Sequence, residues 1–182
     1  MTHRIVLDET GKYFFKNGKL KKNFQKNIFL TREQTPKPKG LWYGIEGSWY
    51  NWSYEEKMIG WINGTGVFLL EIPKKKKILK IETVQKIKSF NDKYAASKKN
   101  TYSINWAKVK KDYDGIEFNP YPLLKEYREH YLWYWDIDAE SGCIWNLDGI
   151  KGKFLGKLPE IKNSEKSFKK NKAAFDKIIE KL

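Results

Sequence analysis

KPKGLWYGIEGSWYNWSYEE, residues 37–56, packs three kinds of local structure into one short stretch. Pro36 and Pro38, two residues apart and followed by Gly40, continue neither a helix nor a strand, so REQTPKPKG (32–40) reads as a loop. LWYGI (41–45) then reads as an extended run in which Trp42 and Tyr43 point to opposite faces. SWYNWSYEEKMIGW (48–61) follows with helical spacing. Ser48 is a candidate N-cap, and Trp49, Trp52 and Met58 or Ile59 fall near one face. Gly40, lacking a side chain, lets the backbone approach a neighbour closely at the strand entrance.

The same reading extends in both directions. THRIVL (2–7) alternates as a strand, with Arg4 and Val6 on one face and His3, Ile5 and Leu7 on the other. Gly11 and the NGK at 17–19 are turn signals, and NIFL (27–30) is a short strand. Downstream, GVFLLEI (66–72) reads as a buried strand ended by Pro73, and KKKKILKI (74–81) as a strand with a solvated basic first half. IETVQKIKSFNDKYAA (81–96) is the clearest helix: Val84, Ile87, Phe90 or Asn91, and Tyr94 recur at helical spacing, and Thr83 is placed to cap it. SKKNTY (97–102) reads as a loop, and INWAKVKKDY (104–113) as a short helix with Trp106 and Val109 inward. GIEF (115–118) is a strand, NPYP a turn, and YLWYWDI (131–137) and GCIWNL (142–147) late strands. NSEKSFKKNKAAFDKIIEKL (163–182) is a closing amphipathic helix, with Phe168, Ala173 or Phe175, Ile178, Ile179 and Leu182 roughly on one face. Short strands with interspersed helices predict an α+β fold in a single domain spanning residues 1–182.

Charge divides the chain differently. Its formal net charge is +14, and 40% of its residues are hydrophobic. Residues 1–40 carry ten Lys and Arg against three acids, and 151–182 ten against four, whereas 41–150 is nearly balanced and holds all eight Trp. The pattern predicts basic arms flanking a neutral core. Clustered Lys fits a polyanionic partner, because binding releases condensed counterions, and it equally fits a lysine-rich composition that maintains solubility. No apolar run of about 18 residues predicts a membrane span. The start MTHRIVLDET has no apolar signal core, which gives an intracellular expectation.

Phosphate-binding and dinucleotide glycine loops are absent, as is GxSxG. Two His (His3 and His130) and one Cys (Cys143) are too few for a metal centre, so no metal ligand is assigned. Cys143, in SGCIW (141–145), reads as a core residue more readily than as a nucleophile. DYDGIEFNP (112–120) holds the remaining candidate. If Ile116 points into the core, Glu117 points out of it, either as a solvated strand residue or as a carboxylate in a cleft. A carboxylate there can orient a ribose hydroxyl and stabilise an oxocarbenium cation.

GLWYG with its aromatic helix, ILKIETVQKIKSFNDKY, INWAKVKKDYDGIEFNPY and WDIDAESGCIWN together resemble ADP-ribosyltransferases of the poly(ADP-ribose) polymerase and diphtheria-toxin type, over residues 37–147. The pattern is similar to phage, viral and bacterial proteins of that kind. The resemblance implies a split mixed or antiparallel sheet and a His–Tyr–Glu set that binds NAD as substrate. On it, Trp42 takes the stacking tyrosine's position, and Tyr54 (or Ser53 beside it) falls near the second ring. Tyr43 and Trp52 stand close by, Lys39 and Gly40 at the rim, and Glu117 in the catalytic glutamate's place. His3 or Arg4 stands for the first-strand residue, without the glycine the family has after its histidine. The implied activity is transfer of ADP-ribose to a macromolecular acceptor, nucleic acid or acidic protein, docked by the Lys-rich termini. The alternative is a non-catalytic basic module binding such a partner, its rings stacking on bases instead of nicotinamide.

Overall fold

The computed structural model describes residues 2–8, 15–20, 34–97, 100–121, 130–162 and 164–182. The expected turn at Gly11 and strand at 27–30 lie outside them. In chain order the strands and helices are β1 (Arg4–Asp8), β2 (Phe15–Lys16), β3 (Lys19–Leu20), β4 (Gln34–Thr35), β5 (Leu41–Ile45), α1 (Ser48–Glu55), α2 (Ile59–Ile62), β6 (Gly66–Glu71), β7 (Ile78–Ile81), α3 (Val84–Tyr94), β8 (Ala95–Ser97), β9 (Asn100–Asn105), α4 (Trp106–Asp112), β10 (Gly115–Phe118), β11 (Ser141–Ile144), β12 (Lys151–Lys157) and α5 (Glu165–Ile179). Helices and strands are thus mixed, and the strand pairs are both antiparallel and parallel. Among the described residues no helix is long and apolar enough to cross a membrane.

The chain forms two compact units. One comprises 1–24, 43–72 and 149–182, the other 25–42 and 73–148. The C-terminal basic end thus belongs to the first unit, whereas the N-terminal one, 1–40, is divided between the two.

In the first unit the strands run β2-β3-β12-β6-β1-β5. Asn17 (φ 51°) and Gly18 (φ 75°) make the two-residue turn between β2 and β3, where both central residues need the left-handed region. Val6 lies opposite Phe68, and Phe68 opposite Phe154; β12 bulges between Phe154 and Gly156. One face of this sheet, through Ile5 and Val67, packs on α1, α2 and α5 in a core that includes Tyr50, Ile62, Leu158, Phe175 and Ile178. Ser164 caps α5 by accepting from the Ser167 amide at 3.2 Å.

Here three expectations are corrected. Gly47, in the left-handed region, is the N-cap of α1, and Ser48 Oγ instead accepts from the Ile45 amide at 3.1 Å. The expected single helix over 48–61 breaks at Lys57 (φ 54°) into α1 and α2. Tyr50 and Ser53, not Trp49 and Trp52, are the buried residues of α1, because it is their face that meets α5.

In the second unit β10 lies between β11, antiparallel, and β7, parallel, and a small sheet runs β4-β9-β8. Thr83 caps α3 as read from sequence, accepting from the Lys86 amide at 3.3 Å, and Ile87, Phe90 and Tyr94 are its buried residues. Trp106 and Val109 of α4 are likewise buried. Gln34 and Thr35, expected in a loop, pair with β9, which itself begins inside the expected SKKNTY loop. YLWYWDI is a 3-10 turn over Leu132–Asp136 instead of a strand. The reason is visible in its burial: consecutive Trp133 and Tyr134 are both sequestered, which the alternation of a half-buried strand does not permit.

Candidate functional site

Glu117 stands on the middle strand of the β11-β10-β7 group. Ile116 is opposite Cys143 and Glu117 opposite Gly142. Directly opposed residues share a face, so Ile116, Phe118 and Cys143 enter the aromatic core of this unit, and Glu117 leaves on the other side. Its near neighbours on that side are two glycines, Gly115 in its own strand and Gly142 across, with Lys80 opposite on β7. Even so, Glu117 is only 4% exposed. It is a sequestered carboxylate, and the solvated alternative does not describe it.

The other carboxylates of DYDGIEFNP serve the fold. Asp114 Oδ2 accepts from the Lys77 amide at 2.8 Å and Oδ1 from Asn146 Nδ2, tying the starts of β7 and β10 to the end of β11. Asp112 accepts from Tyr94 Oη and, at 3.0 Å, from Lys93 Nζ. Those hydrogen bonds hold its carboxyl below the usual range.

Trp42 does not face Glu117. Its Nε1 donates to the Pro38 carbonyl at 3.2 Å, and the Cys143 thiol points at that same oxygen from 3.8 Å. Trp42 is therefore on the Cys143 side, which is the Ile116 side of β10. Lys37 Nζ lies 5.6 Å from the indole centroid. Gly40 does meet a close neighbour, and it is the protein itself: a Cβ there would lie 2.5 Å from both Cys143 Sγ and the Ile144 carbonyl. Lys39 is exposed beside it. Cys143 is fully buried, and burial pushes its thiol pKa up, which keeps it protonated and unsuited to attack.

The remaining candidates belong to the first unit. His3, expected to meet a ligand, holds Glu46: its amide donates to Glu46 Oε1 at 2.7 Å and its Nδ1 lies 3.1 Å from Oε2. Arg4 begins β1, and Tyr43, next to Trp42 along β5, points to the opposite face and is buried. Trp52 meets Trp61 edge-on at 6.1 Å, and Tyr54 stacks on Phe168 at 4.3 Å. These rings are engaged by other rings of the same unit.

Among the described residues no group of three or more His, Cys, Asp or Glu gathers to hold a metal. The sequence reading missed a second polar centre, Asn171, fully buried on α5. It accepts from Tyr50 Oη at 2.7 Å and donates to the carbonyls of Ile62 and Pro159. It also missed the edge of the first unit's sheet, where an exposed Phe154 lies on one face and lysines on the other. The alternation of KGKFLGK (151–157) was the available signal for that edge. Set against family models, curated proteins and solved structures, the chain matches none.

Proposed function

We propose that the chain is an NAD-dependent ADP-ribosyltransferase that moves ADP-ribose to a macromolecular acceptor and releases nicotinamide. The observation that carries this reading is Glu117: a carboxylate held out of bulk water on a central strand, with glycine opposite it. Such a group can accept a hydrogen bond from a ribose hydroxyl and stabilise positive charge building on the anomeric carbon. The C–N glycosidic bond breaks and nicotinamide departs with the bonding pair. An acceptor nucleophile then bonds to the anomeric carbon and gives up its proton. In this scheme NAD is met on the Glu117 side of β10, and Trp42 is a structural ring, not a stacking one.

Nicotinamide release from NAD tests the proposal. Glu117→Gln should lower it by about 100-fold or more, in line with loss of one electrostatic stabiliser, while circular dichroism stays unchanged. Trp42→Phe should retain it within a few-fold. A wild-type chain that neither binds nor consumes NAD refutes the proposal. The second reading, a basic module that binds without catalysis, is favoured by the lysines at the sheet edge of the first unit.

A further inference from the structure

We infer that the β2-β3-β12 edge of the first unit binds single-stranded nucleic acid. Lys16, Lys19 and Lys151 stand directly opposite one another across three strands. Lys153 follows two residues after Lys151 on the same face. Neighbouring strands are about 4.8 Å apart, so the first three side chains arise from a line about 10 Å long. Like charges directly opposed in a sheet destabilise it. Among the described residues none of the four lysines forms an ion pair, Glu71 opposite Lys151 included. The row is a standing repulsion that a polyanion would relieve.

The other face of the same edge carries rings. Phe15 lies 5.2 Å from Phe68, and Phe68 lies 5.3 Å from Phe154. Phe154 is 52% exposed, the outermost step of this ladder. Together with the Lys16–Gly18 turn the rings border a groove of about 560 Å³. Gly152 sits beneath Phe15, and a Cβ there would come within 2.6 Å of the Phe15 ring, so the groove floor depends on glycine. Lys16 belongs to both features, lining the groove and heading the lysine row.

Unpaired lysines on one face of a strand edge and an exposed ring on the other, with Lys16 reaching both, match a chain that has planar groups and phosphates in alternation and passes around the edge. Its backbone would follow the lysines and cross the edge at Lys16, where bases turn onto Phe154. An acidic polypeptide would satisfy the lysines and leave the ladder unused. The inference is independent of the transferase reading, since it involves neither Glu117 nor NAD.

The test uses the full chain and a fluorescein-labelled oligodeoxythymidine of about 12 nucleotides, followed by anisotropy over a range of salt. Binding should weaken with salt. Replacing Lys19, Lys151 and Lys153 together with Gln should lower affinity and flatten the slope of log K against log salt by about 2. Phe154→Ala should weaken binding by about 5- to 150-fold, the worth of one stacked base, and leave that slope unchanged. Phe154 is exposed and the lysine replacements remove repulsion, so melting temperatures should hold or rise; Glu117→Gln should bind as wild type. The inference is overturned if wild type does not bind the oligonucleotide at low salt, or if neither variant loses affinity. Equal binding of polyglutamate with the same dependence on Phe154 overturns it in favour of an acidic polypeptide.

Discussion

Along the α1–α5 seam of the first unit rings lie flat on one another, and in the core of the second unit they meet at angles. Tyr50 lies on Phe175 at 3.7 Å and 9°, and Tyr54 on Phe168 at 4.3 Å and 13°. In the second unit Phe90 and Trp133 are inclined at 55°, Phe118 and Trp133 at 47°, and Trp106 and Trp145 at 58°. The flat pairs join two helices, α1 and α5, along one seam. The inclined rings fill space in three dimensions, with Phe90 and Trp133 each meeting three others, as edge-to-face preferences favour. A seam can be opened at one pair, whereas a cluster loses contacts on every side when one ring goes. Trp133→Ala should therefore cost more than Phe175→Ala, both within about 3–5 kcal/mol. Urea unfolding of the two variants checks the order. Trp133 also donates to Asn91 Oδ1 at 3.2 Å, which adds to its share. Equal or reversed losses would break the comparison.

The units also differ in how they hold buried polarity. Asn171 serves three partners at the α1–α5 seam, so the seam is held by hydrogen bonds as well as by rings. Asn171→Leu should destabilise by about 2–3 kcal/mol, because Tyr50 Oη and two carbonyls are left unsatisfied. Asn171→Asp sharpens the point. It keeps an acceptor for Tyr50 but sets a carboxylate against two carbonyl oxygens, so its folded-state pKa is raised and the variant should lose further stability as pH rises. A variant that is insensitive to pH between 4 and 8, by urea midpoint, would mean that the seam relaxes around residue 171.

Local chemistry was legible in the sequence, and cross-strand register was not. The Thr83 cap, the Ile87–Phe90–Tyr94 spacing and the Asn17–Gly18 turn all follow from residues close together in the chain. Alternation along GIEF placed Ile116 and Glu117 on opposite faces. It said nothing of which face Trp42 would share, since that depends on Ile116 pairing with Cys143 instead of Gly142, and a one-residue slip exchanges the faces. Asn171 escaped because a polar residue in a Lys-rich helix gives no sign of burial until α1 is packed on it. By composition residues 151–157 belong to a basic arm, yet their alternate positions fill a sheet, with Gly152 and Phe154 on the ring face and lysines on the other.

A smaller effect concerns the start of α3. Thr83 Oγ1 receives the Lys86 amide at 3.3 Å, and Thr83→Ala should cost about 1 kcal/mol. Hydrogen exchange should show the loss in the first turn of α3 and leave the α1–α5 seam of the other unit unchanged. Faster exchange in α5 would mean that the two units do not open separately.

The least effect is expected where the second unit's polar ties reach the surface. Asp112, at the end of α4, accepts from Tyr94 and Lys93 at the end of α3, and these bonds hold its carboxyl below the ordinary carboxylate range. A depressed folded-state pKa contributes stability that is complete above the unfolded value of about 3.9 and disappears as pH falls through the folded one. Lys93 behaves in the opposite sense. Its hydrogen bonds to Tyr94 and Asp112 push its pKa up, so its contribution is complete below the ordinary lysine value of about 10.4 and lost only at higher pH. The difference between wild type and Asp112→Asn should then be flat from about pH 5 to 9, shrink on acidification below about 4, and shrink with added salt, as exposed pairs do. Urea midpoints across pH measure it. A difference that grows on acidification would show that Asp112 is held by something other than these two donors, and that the polar ties of the second unit reach further inward than its aromatic core suggests.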